Sequence, residues 1–237
     1  MINGGQVCVC PDYVFVPDGR IDMFVDIAHG MFPSIVSNDD HRSSVNEADF
    51  GRVVGLIDDT RAKGARVETV APAGDSLPDR ATRKIAPTIV RDVVEDMRIA
   101  DEEVFGPVLV VRPYSELTDV IDHINQRPAP LVAFWYVPDN DDFRRFVAHT
   151  RSGGVARNDF GAQMIPSAAP FRAVGRSGMG AYHGKAGFDA FSHYRTVVGT
   201  DLAFSITCRR ERGVAHGAQP NAPSSQEPLI ACSLAHR

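Results

Sequence analysis

Long apolar runs are absent from this sequence of 237 residues, and none approaches the roughly 18 residues that a membrane-spanning helix needs. The first residues also lack a basic stretch followed by an apolar one, so no secretory signal is predicted. Lys and Arg number 25 against 30 Asp and Glu, which gives a net charge of −5. This shortage of positive charge argues against a nucleic-acid-binding surface.

Cysteine is scarce as well. Of the four cysteines, Cys8 and Cys10 are too close together to brace a domain, and the others lie near the C-terminus at 208 and 232. This excludes a disulfide framework and is typical of a reducing, cytoplasmic location. A metal site at Cys8 and Cys10 would need two further ligands. The histidines are scattered without ligand spacing, so no metal is predicted.

Apolar residues are plentiful, at 43% of the chain, and their spacing alternates between strand and helix patterns. Four consecutive apolar residues, 108–111, predict a strand covered on both faces. The pattern predicts strands at 12–16, 65–71, 88–93, 108–111, 131–137, 155–158 and 195–198. It predicts helices from Ile21 to Gly30, Asn46 to Gly64, Ser115 to Ile124, and Asp139 to just before Gly153. Such alternation indicates an α/β fold with a mostly parallel sheet and flanking helices.

The composition changes near the C-terminus. Residues 204–237 mix Arg, Gly, Ala, Pro, Ser and Gln with little periodicity, which predicts a disordered C-terminal tail. We therefore expect one domain over 1–203 and a tail over 204–237.

The first chemically suggestive run is Asn-Gly-Gly-Gln-Val-Cys-Val-Cys-Pro-Asp-Tyr, residues 3–13. A thiolate at Cys8 can attack an aldehyde carbonyl, because cysteine ionises near neutral pH far more readily than serine. The glycines before it would let backbone approach the reacting carbon closely. The alternative from Cys8 alone is a small buried core cysteine.

A second run, Glu-Glu-Val-Phe-Gly-Pro at 102–107, leads directly into an apolar strand. A carboxylate at a strand entrance can accept hydrogen bonds from ribose hydroxyls, and an aromatic two residues on can lie against a flat ring. Taken alone, the run also fits an acidic loop with a core Phe and a Gly-Pro turn.

The third run, 170–185, holds four glycines within 175–184, which predicts tight turns rather than a helix. It lacks the Gly-Lys-Ser/Thr sequence of a phosphate-binding loop. His183 is a candidate general base; the alternative is a structural loop that shapes a site.

Together and in this order, the three runs resemble the C-terminal catalytic part of the aldehyde dehydrogenase superfamily, over roughly residues 3–200. Tyr-His-Gly-Lys at 182–185 and Phe-Ser-His at 191–193 look like the branch with fatty aldehyde and coniferyl aldehyde dehydrogenases. The segments 58–64, 83–96 and 127–136 are most similar to coniferyl aldehyde dehydrogenases.

The resemblance implies a role for several residues. Cys8 matches the nucleophile, Glu103 the glutamate that holds the nicotinamide ribose, and Phe105 the phenylalanine beside the nicotinamide. Asn158 is expected to be structural or to line the pocket. The implied activity is the oxidation of an aldehyde, aromatic such as coniferaldehyde or fatty, with NAD or NADP as acceptor. Full-length relatives form homo-oligomers.

The sequence departs from the family pattern in three ways. The glutamate that activates water, and the nucleotide-binding domain with the oxyanion asparagine, precede the nucleophile in the family, so neither lies within these 237 residues. The usual Gly-Gly after Pro-Phe is Arg172-Ala173; either these two side chains strain the turn, a sign of relaxed constraint, or the turn tolerates them. The resemblance thus implies an N-terminally truncated member, inactive in this form. The alternative is a non-enzymatic remnant that pairs with a full-length relative.

Overall fold

The computed structural model describes residues 2–36, 41–71, 76–136 and 139–199. Strand β4 (Val108–Tyr114) lies at the centre of its larger sheet. It runs parallel to β1 (Tyr13–Pro17) on one side and to β3 (Thr88–Arg91) on the other. β2 (Arg66–Thr69) adds to β3 in the antiparallel direction, giving the order β1-β4-β3-β2. The mostly parallel sheet predicted from the sequence is confirmed.

Two smaller sheets follow in the chain. β5 (Val132–Trp135) and β6 (Gly154–Arg157) pair in parallel, and β7 (Phe171–Arg172) pairs with β8 (Ala181–Tyr182) in the antiparallel direction. The helices are α1 (Ile21–Val36), α2 (Glu47–Ala62), α3 (Leu117–Asn125), α4 (Asp141–His149) and α5 (Gly184–Ala190). Short 3₁₀ helices lie at Ile2–Gly5, Asp18–Arg20, Arg98–Ala100, Ala162–Met164 and Gly175–Ser177.

The larger sheet is covered on both faces, as the apolar run in β4 predicts. Val110 packs in the cluster under α2, while the next residue, Val111, packs in the cluster under α1. Alternate side chains of a strand point to opposite faces, so the two helices lie on opposite sides of the sheet. A third cluster joins α3 and α4 to β5.

The predicted helix ends are correct where a cap fixes them. The Asn46 side chain accepts a hydrogen bond from the Asp49 N–H at 2.8 Å and starts α2. Gly64 follows its end with a φ of +91°, the left-handed conformation that glycine adopts freely. The predicted caps of α3 and α4, Ser115 and Asp139, are each wrong by one residue. Glu116 and Asn140 occupy these cap positions.

Two predictions about elements are wrong. α1 does not end at Gly30, which lacks a positive φ, but continues to Val36. Phe32 is only 7% exposed in the cluster with Val16 and Val25, so burial favours the extra turns. Residues 192–199 form neither helix nor strand, so the strand predicted at 195–198 is wrong. A strand needs a hydrogen-bonded partner, and the described residues provide none there.

The predicted tail, 204–237, lies outside the described residues, so the boundary at 203 stays a prediction. Within the described ranges, no helix is long and apolar enough to cross a membrane.

Candidate active site

Cys8 lies on a tight turn near the N-terminus. The Cys10 N–H donates to the Val7 carbonyl at 2.8 Å, and this bond closes the turn. The Cys8 thiol is free and exposed, whereas Val9 beside it is only 2% exposed. The alternative of a buried core cysteine is therefore wrong for Cys8. Val9 anchors the turn in the core and leaves the thiol accessible.

The backbone before the turn is coiled left-handed. Asn3, Gly4 and Gly5 have φ values of 51°, 64° and 80°, and glycine adopts such angles at little cost. This is the local reason for the Gly-Gly pair.

Gln6 fixes this segment to the chain that precedes α2. Its Oε1 accepts from the Val45 N–H at 2.8 Å, and its Nε2 donates to the Ser43 carbonyl at 3.0 Å. The same Nε2 donates to the Asn3 carbonyl at 3.1 Å. The sequence does not predict this role of Gln6, because both partners across the chain are backbone groups that no side-chain pattern reveals.

Gly5 brings the cysteine segment against the acidic run about one hundred residues later. A Cβ on Gly5 would lie 2.0 Å from the Gly106 carbonyl oxygen, so only a hydrogen fits between the two backbones. Gly106 directly follows Phe105. The contact therefore places two of the three suggestive runs side by side.

Arg52 of α2 holds the acidic run from the other side. Its Nη1 donates to the Glu103 carbonyl at 2.9 Å and its Nη2 to the Val104 carbonyl at 2.7 Å. Glu102, rather than Glu103, forms the ion pair with Arg52, at 3.4 Å. The Glu103 side chain is exposed and accepts no hydrogen bond from the part of the chain that the structure describes.

Asp12 completes the support of the acidic run from the start of β1. Its Oδ1 accepts the Val104 N–H at 2.8 Å. Burial raises the pKa of Asp12 to about 6, and the Glu103 charge adds to the rise, while the Val104 hydrogen bond and Arg52 oppose it. The sequence pattern predicts Asp12 only as the start of a strand and gives no sign of this supporting role.

Phe105 is half-buried with a φ of +45°. It lines a shallow depression of about 260 Å³ together with the cysteine segment and the chain before α2, through Asn3, Gln6, Arg42, Ser43 and Val45. A positive φ on a bulky residue is uncommon and marks a constrained position. Phe105 is thus partly exposed in this depression, and its place beside the nicotinamide stays a prediction.

Comparison with known proteins identifies the family. Residues 1–197 match the family model for the aldehyde dehydrogenase family. The chain belongs to the aldehyde dehydrogenase family.

Among curated relatives, a probable coniferyl aldehyde dehydrogenase of Caulobacter vibrioides is 40% identical over 200 residues, covering 83% of this chain and 41% of that protein. A coniferyl aldehyde dehydrogenase of Pseudomonas sp. strain HR199 is 38% identical, covering 83% and 42%. An aldehyde dehydrogenase of Mycobacterium tuberculosis, solved as a complex with NAD+, has a TM-score of 0.69 at 27% identity, covering 80% of this chain and 40% of that one. The chain thus spans about two fifths of the length of these relatives.

The remaining candidate residues of this aldehyde dehydrogenase chain lie in other elements. Asn158, with a φ of +55°, directly follows β6, and its N–H donates to the Trp135 carbonyl at 2.8 Å. His183 lies between β8 and α5, with its ring edge-on to Tyr182 at 4.3 Å. No described contact links either side chain to the thiol of Cys8, so the geometry assigns neither a chemical role.

Of the two alternatives for Arg172-Ala173, the structure supports the one in which the turn tolerates both side chains. Neither residue has a positive φ, because Arg172 is in the extended pairing of β7 with β8, where its side chain reaches solvent. The close packing falls instead on Gly153, where a Cβ would lie 2.2 Å from the Arg172 carbonyl oxygen.

Within the described ranges, no group of three or more His, Cys, Asp and Glu side chains could hold a metal ion.

Proposed function

We propose that this chain provides the thiol-bearing catalytic part of an NAD- or NADP-dependent aldehyde dehydrogenase. Its substrate would be an aromatic aldehyde such as coniferaldehyde, or a fatty aldehyde, and its product the carboxylic acid. The names of the two curated relatives and the NAD+ complex of the Mycobacterium tuberculosis relative support this assignment. We also infer a cytoplasmic location from the few cysteines.

One observation carries the proposal: the exposed Cys8 lies on a turn, and the backbone just before this turn contacts the acidic run. The Gly5–Gly106 backbone contact and the depression beneath Phe105 bring the proposed nucleophile segment and the proposed cofactor segment together. Reactions of this kind depend on such positioning for much of their rate.

The residues present fit a nicotinamide nucleotide. The Glu103 carboxylate is exposed and has no hydrogen-bond donor within the described ranges, so it can accept from ribose hydroxyls. Phe105 is held with part of its ring at the surface of the depression, where it can pack against a flat ring. Arg52 and Asp12 hold the backbone of this run, which limits movement of both side chains.

In the proposed reaction, the Cys8 thiolate attacks the aldehyde carbon and forms a thiohemiacetal. The Cys8 backbone N–H donates to no acceptor in the described part of the chain, so it is available to the oxyanion. When bound, an oxidised nicotinamide supplies the acceptor for the hydride that leaves the substrate carbon. Water then attacks the thioester carbon on Cys8, the C–S bond breaks, and the carboxylic acid leaves while the thiol of Cys8 is restored.

We propose that a polypeptide of these 237 residues does not complete this cycle alone. In the family, the glutamate that activates water, the oxyanion asparagine and the nucleotide domain precede the nucleophile. Without them, deacylation would be very slow and the acceptor would rarely be bound in register.

The test compares the isolated chain with a fusion. The N-terminal part of the fusion is the segment of the Pseudomonas relative that lies before the region similar to this chain. Its C-terminal part is residues 1–237 of this chain. We expect no reduced nicotinamide with coniferaldehyde or a long-chain aldehyde from the isolated chain, and aldehyde-dependent reduction from the fusion. Cys8→Ala should abolish turnover in the fusion, whereas the matched Cys10→Ala should retain it.

Two results would contradict the proposal. Turnover that survives Cys8→Ala would remove the nucleophile assignment. A folded fusion that binds NAD+ or NADP+ but oxidises neither aldehyde would favour the non-enzymatic alternative.

A further inference from the structure

We propose that Cys8 and Cys10 form a disulfide within one chain when a peroxide oxidises Cys8, so that Cys10 is a resolving thiol. The inference rests on the proposed function, because it concerns the regulation of the thiol assigned there as nucleophile. It concerns a modification that the proposed reaction does not use.

The two thiols share one turn. The hydrogen bond from the Cys10 N–H to the Val7 carbonyl, 2.8 Å long, folds the chain back across Cys8 and Val9. Both cysteines are free; Cys8 is exposed and Cys10 half-buried. Val9 between them faces the core at 2% exposure.

The spacing is within the range of a disulfide. Two residues span at most about 7 Å when fully extended, and a turn shortens this distance. Disulfides join Cα atoms that are about 4.4–6.8 Å apart. A bridge between Cys8 and Cys10 is therefore within reach of the chain.

The two thiols differ in environment, and this sets the order of events. Burial is the main cause that raises the pKa of Cys10, and charge on Asp12 and Cys8 adds to the rise. Cys10 is thereby kept protonated, with its Sγ donating to the Ile2 carbonyl at 3.9 Å. The exposed Cys8 is the thiol that meets a dissolved oxidant first.

The chemistry balances with hydrogen peroxide as the only co-reactant. The Cys8 thiolate attacks one peroxide oxygen, the O–O bond breaks, and the leaving hydroxide is protonated to water. Cys8 is then a sulfenic acid. The Cys10 sulfur attacks the Cys8 sulfur, the S–O bond breaks, and the hydroxyl leaves as water with the Cys10 proton. Two thiols are oxidised to one disulfide while one peroxide is reduced to two waters.

The disulfide would block the proposed nucleophile reversibly. A sulfenic acid without a resolving thiol proceeds to sulfinic and sulfonic acids, which are not readily reduced, whereas a disulfide is restored by thiols. Cys10 would therefore protect the same thiol that it temporarily inactivates.

The test uses the full chain, hydrogen peroxide, alkylation of the remaining thiols and tryptic mass mapping. The first tryptic cleavage follows Arg20, so one peptide holds both Cys8 and Cys10, and Cys208 and Cys232 fall in other peptides. We expect this peptide to lose the mass of two hydrogens, to escape alkylation and to recover both thiols with dithiothreitol. In Cys10→Ser, Cys8 should instead react with dimedone and then gain two or three oxygens. In Cys8→Ser, Cys10 should stay alkylatable at the same peroxide dose.

Three outcomes would overturn the proposal. They are addition of oxygen to Cys8 in the unaltered chain without loss of two hydrogens, a link between this peptide and one containing Cys208 or Cys232, and a covalent dimer through Cys8. The readout is a peptide mass, so it is obtained whether or not the fusion oxidises an aldehyde. Failure of the proposed function is thereby distinguished from failure of this inference.

Discussion

A single carboxyl group, Asp12, links the first strand to the run that contains Glu103 and Phe105. It accepts the Val104 N–H at 2.8 Å from a half-buried position four residues after Cys8. Its location explains how one side chain can affect the position of both proposed cofactor contacts. The same burial makes Asp12 costly to ionise.

This cost predicts a pH-dependent stability. The folded-state pKa of about 6 lies above the unfolded value of about 3.9, so Asp12 reduces the free energy of unfolding as the pH rises from about 4 through 6. Asp12→Asn keeps an oxygen acceptor for Val104 but cannot ionise. Chemical denaturation should show Asp12→Asn gaining stability relative to the unaltered chain across this window, with no further gain above about pH 7.

Asp12→Ala is the control that separates charge from hydrogen bonding. It removes the acceptor and leaves the Val104 N–H unpaired, which should cost about 1–3 kcal/mol relative to Asp12→Asn at every pH. A difference between Asp12→Asn and the unaltered chain that stays constant from pH 4 to 7 would mean that Asp12 does not titrate in the folded state as described.

The segments around Cys8 and Phe105 are joined by the Gly5–Gly106 backbone contact, which makes Gly5→Ala a direct probe of the site. The new Cβ would lie 2.0 Å from the Gly106 oxygen, at a residue with a φ of +80°. Overpacking costs about 1–3 kcal/mol and a left-handed non-glycine residue about 1–2 more. We expect thermal denaturation to show that the free energy of unfolding falls by about 2–5 kcal/mol, with faster alkylation of the loosened Cys8.

Gly51→Ala is the matched control for this change. Gly51 lies inside α2, has no positive φ, and an added Cβ would meet nothing within 4 Å. Alanine should therefore stabilise the helix by about 0.5–1 kcal/mol. If Gly5→Ala were as harmless as Gly51→Ala, the backbone contact would not hold the two segments together.

At the level of elements, the sequence predicted the features that depend on neighbouring residues better than those that depend on tertiary packing. The Asn46 cap and the Gly64 terminus of α2 depend on neighbouring residues, and both are correct. Gly30 and residues 195–198 have local patterns that mislead, because α1 continues through the burial of Phe32 and a strand requires a partner. The family resemblance identified Cys8, Glu103 and Phe105 as candidates. Gln6, Arg52 and Asp12 hold the segments that contain these candidates mainly through hydrogen bonds to backbone groups, which leave no sequence signature.

At the scale of the whole molecule, one apolar cluster connects the larger sheet to the β5–β6 sheet. Phe15 of β1 and Tyr114 of β4 pack against the buried residues of α3 and α4, as do Ala133 and Trp135 of β5. The β5–β6 pair has only two strands, and an isolated pair of strands is marginal in water. The smaller sheet should therefore remain folded only through this cluster.

Phe146 tests that dependence, because it is 3% exposed and its ring lies 5.2 Å from that of Trp135, the single tryptophan of the chain. In the unaltered chain, Trp135 emission and far-ultraviolet circular dichroism should show coincident denaturation. Phe146→Ala should remove about 3–5 kcal/mol and move the Trp135 transition to lower denaturant than the dichroism. Val53→Ala, under α2 in the larger sheet's core, should shift both signals together. Coincident transitions in Phe146→Ala would show that contacts outside this cluster keep the smaller sheet folded.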